Sequence, residues 1–203
     1  MPVNGLPAVE AGSIAPPIPP EYVEVMYTPT YEDPLAPPTE YLDLSWEMFG
    51  ELCRALALKV ARDYAPELVV GIARAGVIPG AVIASILRVD FYSMRISRRE
   101  GPDQVRERPA ILSAAPSQVA GRRVLLVDEI ATSGETLRLG LAAVRDSRPV
   151  EVRTATSFAR SRGYKPDYFA LETDAEVIFP WDRKIFEAGQ LVVNPRYVDV
   201  LDE

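Results

Sequence analysis

The stretch from Val124 to Thr136, Val-Leu-Leu-Val-Asp-Glu-Ile-Ala-Thr-Ser-Gly-Glu-Thr, constrains this chain more than any other. Four aliphatic residues in a row suit a parallel strand covered on both faces. Asp128 and Glu129 follow at once, and small residues then open a helix. Such a strand ends at the crevice where open α/β sheets bind ligands. Ala131, Thr132, Ser133, Gly134, Glu135 and Thr136 offer backbone N–H groups and hydroxyls at a helix N-terminus, a ready cradle for a phosphate dianion. Asp128 and Glu129 can accept hydrogen bonds from hydroxyls of the same ligand. Phosphate on one side and vicinal hydroxyls on the other describe a ribose 5-phosphate. An ordinary capped helix start, with the two carboxylates facing the helix dipole, is the alternative reading.

The rest of the chain reads as alternating strands and helices. Ser45 is an N-cap for a helix running to about Tyr64, with Glu47 in its first turn. Leu68 to Ile72 is a short apolar strand, and Ala73-Arg74-Ala75-Gly76 is a turn. Val77 to Leu87 is a helix with Pro79 in its first turn. Val89 to Ile96 is a strand. Ser97 to Pro109 lacks periodicity and reads as a mobile loop. Further strands are expected at Val150–Phe158, Tyr168–Leu171 and Val177–Phe179. This pattern predicts an α/β fold, a three-layer, mainly parallel sheet flanked by helices.

Residues 1–40 hold ten of the nineteen prolines, so they read as an extended or irregular arm before a domain at 41–203. Net charge is −7 and no dominant basic region exists, which argues against nucleic acid as a partner. The absence of histidine excludes histidine-based acid–base chemistry and histidine metal sites. No run of 18 apolar residues offers a membrane span. The first twenty residues lack the basic start and apolar core of a secretory signal. A single cysteine, Cys53, permits no internal disulfide and reads as a buried small hydrophobe. Together these features point to a cytoplasmic globular protein.

The Val124–Thr136 stretch resembles the phosphoribosyl-pyrophosphate (PRPP) signature of the type I phosphoribosyltransferases. That pattern is an apolar strand, two acidic residues, a few variable residues, then Thr or Ser, Gly, any residue, and Thr or Ser. Gly163-Tyr164-Lys165-Pro166-Asp167-Tyr168 and Ile178-Phe179-Pro180-Trp181-Asp182 resemble segments of the 6-oxopurine branch of the family. The resemblance implies a phosphoribosyltransferase domain with a small hood. It implies transfer of the 5-phosphoribosyl group from PRPP to a nitrogenous base, a purine first, with release of pyrophosphate. By that likeness, Asp128 and Glu129 hold the ribose hydroxyls and residues 131–136 anchor the 5-phosphate. Ala73, Arg74, Ala75 and Gly76 grip pyrophosphate. Arg98 and Arg99 belong to a catalytic flap, and Val177, Ile178 and Trp181 lie near the base. Mg2+ bridges pyrophosphate and ribose oxygens, meeting Asp128 and Glu129 only through the ribose hydroxyls. The partners implied are PRPP, a nucleobase and further copies of the chain, as a homodimer or homotetramer. Outside the resemblance, Arg74 reads equally as a surface residue, residues 97–109 as a solvated charge run, and Trp181 as plain core.

Three positions depart from the 6-oxopurine pattern. Thr132 stands where an Asp is usual, Ala159 where a Lys reads the purine carbonyl, and Glu176 where an aromatic stacks on the base. The nearest cation to Ala159 is Arg160. A carbonyl unread by a cation loses roughly 1.5–3 kcal/mol, and a lost stack roughly 0.5–1.5 kcal/mol beyond its area. A second expectation is therefore a non-catalytic PRPP- or nucleotide-binding regulatory protein.

Overall fold

The computed structural model describes residues 40–99 and 105–201. Apart from Glu40, the expected proline-rich arm lies outside the described residues. The core is a six-stranded sheet of β2 (Leu68–Ala73), β3 (Asp90–Arg99), β4 (Val105–Ser113), β5 (Arg123–Ala131), β6 (Glu151–Ala159) and β7 (Tyr168–Glu172). Its strand order is β4-β3-β2-β5-β6-β7. Every neighbouring pair is parallel except β3 with β4.

Three helices cover the two faces. α1 (Trp46–Asp63) begins where the Ser45 side chain accepts the Met48 N–H at 3.1 Å. Its buried residues Phe49, Cys53, Leu56, Ala57 and Val60 recur at helical spacing. With α2 (Val77–Leu87), it packs Leu56, Val60 and Ile83 against Val69, Leu125 and Val127 of the sheet. Burial pushes the Cys53 thiol up to about 12, so it behaves as a small hydrophobe. On the opposite face α3 (Glu135–Asp146) sets Leu137, Leu139 and Val144 against Val70, Met94, Val124 and Leu126. The period-2 alternation of β2 and β5 feeds both layers, which is why these strands read as unbroken apolar runs.

A smaller layer closes one end. β1 (Tyr41–Asp43) pairs in parallel with β8 (Glu176–Ile178), and β9 (Lys184–Glu187) forms a hairpin with β10 (Gln190–Val193). Leu44, Phe49, Phe158, Val177 and Phe179 join this hood to the body. Phe158 meets Phe179 edge-on at 5.7 Å. No described helix is long and apolar enough to cross a membrane.

The expected loop over Ser97–Pro109 is corrected by the structure. β3 runs on to Arg99 and β4 starts at Val105, so most of that segment is antiparallel hairpin. The ladder carries register shifts between Arg95 and Ile96 and between Ser97 and Arg99. These break the alternation that would have marked it. β4 is also an edge strand, and charge on such an edge is a normal guard against further pairing.

Phe158→Ala removes the fully buried ring that links the sheet to the hood. It is expected to cost about 3–5 kcal/mol, read from urea unfolding midpoints against the parent protein.

Candidate active site

The strand order reverses between β2 and β5. From β2 the chain steps outward through β3 and β4, then returns to β5 on the other side. Ligands of open α/β sheets bind at the carboxyl ends of strands flanking such a switch. The turn after β2 and the loop after β5 both emerge there.

Packing between these two connections is tight. A Cβ on Gly76 would sit 2.7 Å from the Ile72 and Val127 carbonyl oxygens and 2.8 Å from Asp128 Cα. Only glycine lets the turn approach so closely. The Ala73–Arg74 peptide is cis. Arg74 is exposed, and its charge reaches Asp182, as does that of Glu129. Burial, helped by Glu129, raises the Asp182 carboxyl above its ordinary range, while Arg196 and Arg74 pull it down.

At the end of β5, Asp128 is buried with 7% of its surface exposed, and Glu129 is half-buried. Asp128 Oδ1 accepts the Glu129 N–H at 3.0 Å. Burial first, and the Glu129 charge second, raise the Asp128 carboxyl well above its ordinary range. A carboxyl held so, one step from a crevice, is a pattern common at functional sites.

Beyond it the chain turns at Gly134, whose φ of 78° lies in the left-handed region, and α3 starts at Glu135. A Cβ at Gly134 would lie 2.3 Å from Tyr164 Cγ. The Tyr164 N–H donates to the Thr132 carbonyl at 2.9 Å, and the Arg138 guanidinium lies over the Tyr164 ring at 4.9 Å. The Gly163-Tyr164 segment therefore clamps the loop from outside, leaving Thr132 and Ser133 exposed toward solvent.

A cavity of about 1220 Å³ opens over this loop. Its wall includes Asp128, Glu129 and every residue from Ala131 to Thr136, so all the expected PRPP-cradle residues converge. Arg98 also lines it and is ion-paired with Glu135. Arg98 thus sits on strand β3 rather than on a free loop, while Arg99 is exposed and off the wall. Ala73, Arg74, Ala75 and Gly76 do not line the cavity; they stand behind Asp128. The expected base-side residues lie apart. Val177 and Ile178 are packed in the hood interior, and Trp181 stacks on Phe179 at 4.7 Å.

A further part of the lining was given no site role in the sequence. It is formed by Arg160, Ser161, Arg162, Gly163 and Asp174. Asp174 accepts from Ser161 N at 2.9 Å and Ser161 Oγ at 2.5 Å, bonds that hold its carboxyl below the usual range. These residues follow the strand ends of β6 and β7, so only their place in the sheet reveals them. Among the described residues no three of His, Cys, Asp and Glu gather as a metal cluster.

The profile of the phosphoribosyl transferase domain matches residues 44–189. Xanthine-guanine phosphoribosyltransferase of Nitratidesulfovibrio vulgaris is 28% identical over 158 residues, covering 75% of this chain and 91% of its own. A purine phosphoribosyltransferase from Pyrococcus horikoshii Ot3 superposes with a TM-score of 0.62 at 26% identity, over 70% of this chain and 94% of that one. The xanthine-guanine-hypoxanthine phosphoribosyltransferase of Helicobacter pylori shares the fold, with a TM-score of 0.59 at 21% identity, over 70% of this chain and 94% of its own.

Burial of Asp128 gives a signed prediction for the free protein. A carboxyl whose folded pKa is raised lowers stability as pH climbs from the unfolded value through the folded one. Asp128→Asn should therefore raise the melting temperature at neutral pH, and the gain should vanish near pH 4, about the unfolded carboxyl value. Melting curves of both proteins across pH measure this. Gly134→Ala should do the reverse, lowering stability and weakening phosphate binding together, because its Cβ meets both a positive φ and the Tyr164 ring.

Proposed function

The chain belongs to the phosphoribosyltransferase family, and on that premise we propose how it transfers the 5-phosphoribosyl group of PRPP to a purine. The observation that carries the reading is the convergence of the Asp128–Glu129 pair and the 131–136 cradle at the sheet's switch point. In the transfer the C1′–oxygen bond to pyrophosphate breaks and a C1′–nitrogen bond to the base forms. Pyrophosphate leaves with the bonding electrons, and the nitrogen's proton passes to solvent. The cradle's N–H groups and hydroxyls hold the 5-phosphate. Asp128 and Glu129 accept hydrogen bonds from the ribose hydroxyls, and their negative charge favours the positive charge that develops on the ring. Thr132 is neutral, so no carboxylate stands there to take the proton of the base.

Arg74 and the 73–76 turn suit pyrophosphate, since Gly76 brings backbone close and Arg74 supplies an exposed guanidinium. The side chains present fit Mg2+ carried in by the substrate rather than a cage of protein ligands. Asp128 and Glu129 would meet such an ion only through the ribose hydroxyls that they hold. A bound Mg2+ would neutralise charge on the leaving pyrophosphate. Positioning and electrostatics then supply the catalysis, with no protein nucleophile. Residues 41–203 form the transferase domain in this reading, preceded by a proline-rich arm. Family membership supports a cytoplasmic homodimer or homotetramer.

Pyrophosphate release from Mg2+–PRPP should be measured with adenine, hypoxanthine, guanine and xanthine as acceptors. At least one oxopurine should give stoichiometric pyrophosphate and nucleotide. Replacing Asp128 and Glu129 together by Ala should bring the rate to background while the protein stays folded. No release with any purine would overturn the reading.

A further inference from the structure

The phosphate cradle carries a charge of the wrong sign. Glu135 is the first residue of α3 and lines the cavity between Gly134 and Thr136. A carboxylate suits a helix N-terminus, but a phosphate dianion is drawn to the same N–H groups. Two anions on one turn repel each other, and more strongly where water is partly excluded. The side chain of Glu135 is only 21% exposed. Left alone, it would oppose the ligand that the cradle is shaped to hold.

It is not left alone. Arg98 Nη2 donates to Glu135 Oε2 from β3, a strand 37 residues earlier in the chain. The Arg98 side chain is 34% exposed, so the pair is less screened by salt than a surface pair. The β3–β4 ladder is irregular at this residue, with Ser97 opposite Ala110 and Arg99 opposite Val105. Irregularities of this kind re-aim a side chain. Other cations nearby are engaged elsewhere. Arg138 lies over the Tyr164 ring and donates to the Ser133 carbonyl at 3.2 Å. Arg160 is held by the Thr173 and Ala175 carbonyls and by Glu176.

We infer that Arg98 is a positioning residue of the 5-phosphate site, cancelling the Glu135 carboxylate so that a dianion can enter, without touching the substrate itself. The inference rests on the transferase reading and deepens it, since it gives Arg98 a place at the phosphate instead of at the leaving pyrophosphate. Phosphate affinity then follows the summed charge of the two side chains. The parent protein and the doubly neutral variant stand together, with one single variant on either side of them.

Two ligands test this on the full chain: ribose 5-phosphate, which has neither base nor pyrophosphate, and Mg2+–PRPP. Binding of the first is followed by NMR titration and of the second by calorimetry. Arg98→Met should weaken both by about tenfold, and Glu135→Gln should tighten both by a similar factor. Combining the two substitutions should restore affinity to within about threefold of the parent, a compensation that only coupled charges give. If the pair merely tethered the hairpin to α3, the double variant would stay as weak as Arg98→Met, which overturns the inference. If Arg98→Met weakened PRPP alone, with or without Glu135→Gln, Arg98 would hold pyrophosphate directly, which also overturns it. Should Arg98→Met not fold, Glu135→Gln decides by itself, and unchanged or weaker binding refutes the inference. Failure of the parent to bind ribose 5-phosphate refutes it too. The expected charge order without pyrophosphate release to any purine would leave the inference standing and overturn the transferase reading.

Discussion

Everything at the site depends on how closely two backbone segments meet at the end of β5. The turn after β2 presses Gly76 onto Val127 O and Asp128 Cα, with no room for a side chain. Asp128 is buried beside this contact, and burial, then the Glu129 charge, raises its carboxyl. The rest follows from it. The sheet reverses direction at this seam, so the turn after β2 and the loop after β5 emerge side by side.

The cradle is held from its outer side by a segment far along the chain. Tyr164 covers Gly134, and the Gly163 backbone sits against the Thr132 carbonyl, where a Cβ would lie 2.5 Å from that oxygen. The ordering of residues 131–134 is thereby tied to the β6–β7 connection, which also lines the cavity with Arg160, Ser161, Arg162 and Gly163. Asp167 anchors its far end, accepting from Thr154 N at 2.7 Å and Thr154 Oγ1 at 2.8 Å.

Much of this was legible in the sequence because it is local. β5, the cradle and α3 are contiguous, and their apolar run, paired carboxylates and Gly134 carry the geometry within a few residues. The helix from Ser45 and the strand ending at Ala73 were legible for the same reason, since caps and periodicity are short-range signals. The hairpin of β3 and β4 was not, because an arginine-rich edge ladder with register shifts looks aperiodic when its partner strand is unknown. The surroundings of Val177, Ile178 and Arg160 were not legible either. Val177 and Ile178 turn inward to the hood, and Arg160 gains its place only through carbonyls of Thr173 and Ala175.

The sequence by itself determined the α/β class, the strand–turn–helix of residues 124–136 and the acidic pair, since adjacent residues on one strand and one helix start need no distant partner to be brought together. Only the tertiary structure decided which side of the sheet seam they share with Gly76, and that Arg98 answers to Glu135. It alone set the Arg160 guanidinium against the carbonyls of Thr173 and Ala175. These depend on strand order and on contacts between residues far apart in the chain, and no local pattern encodes the reversal at β2 and β5 that brings them to one place.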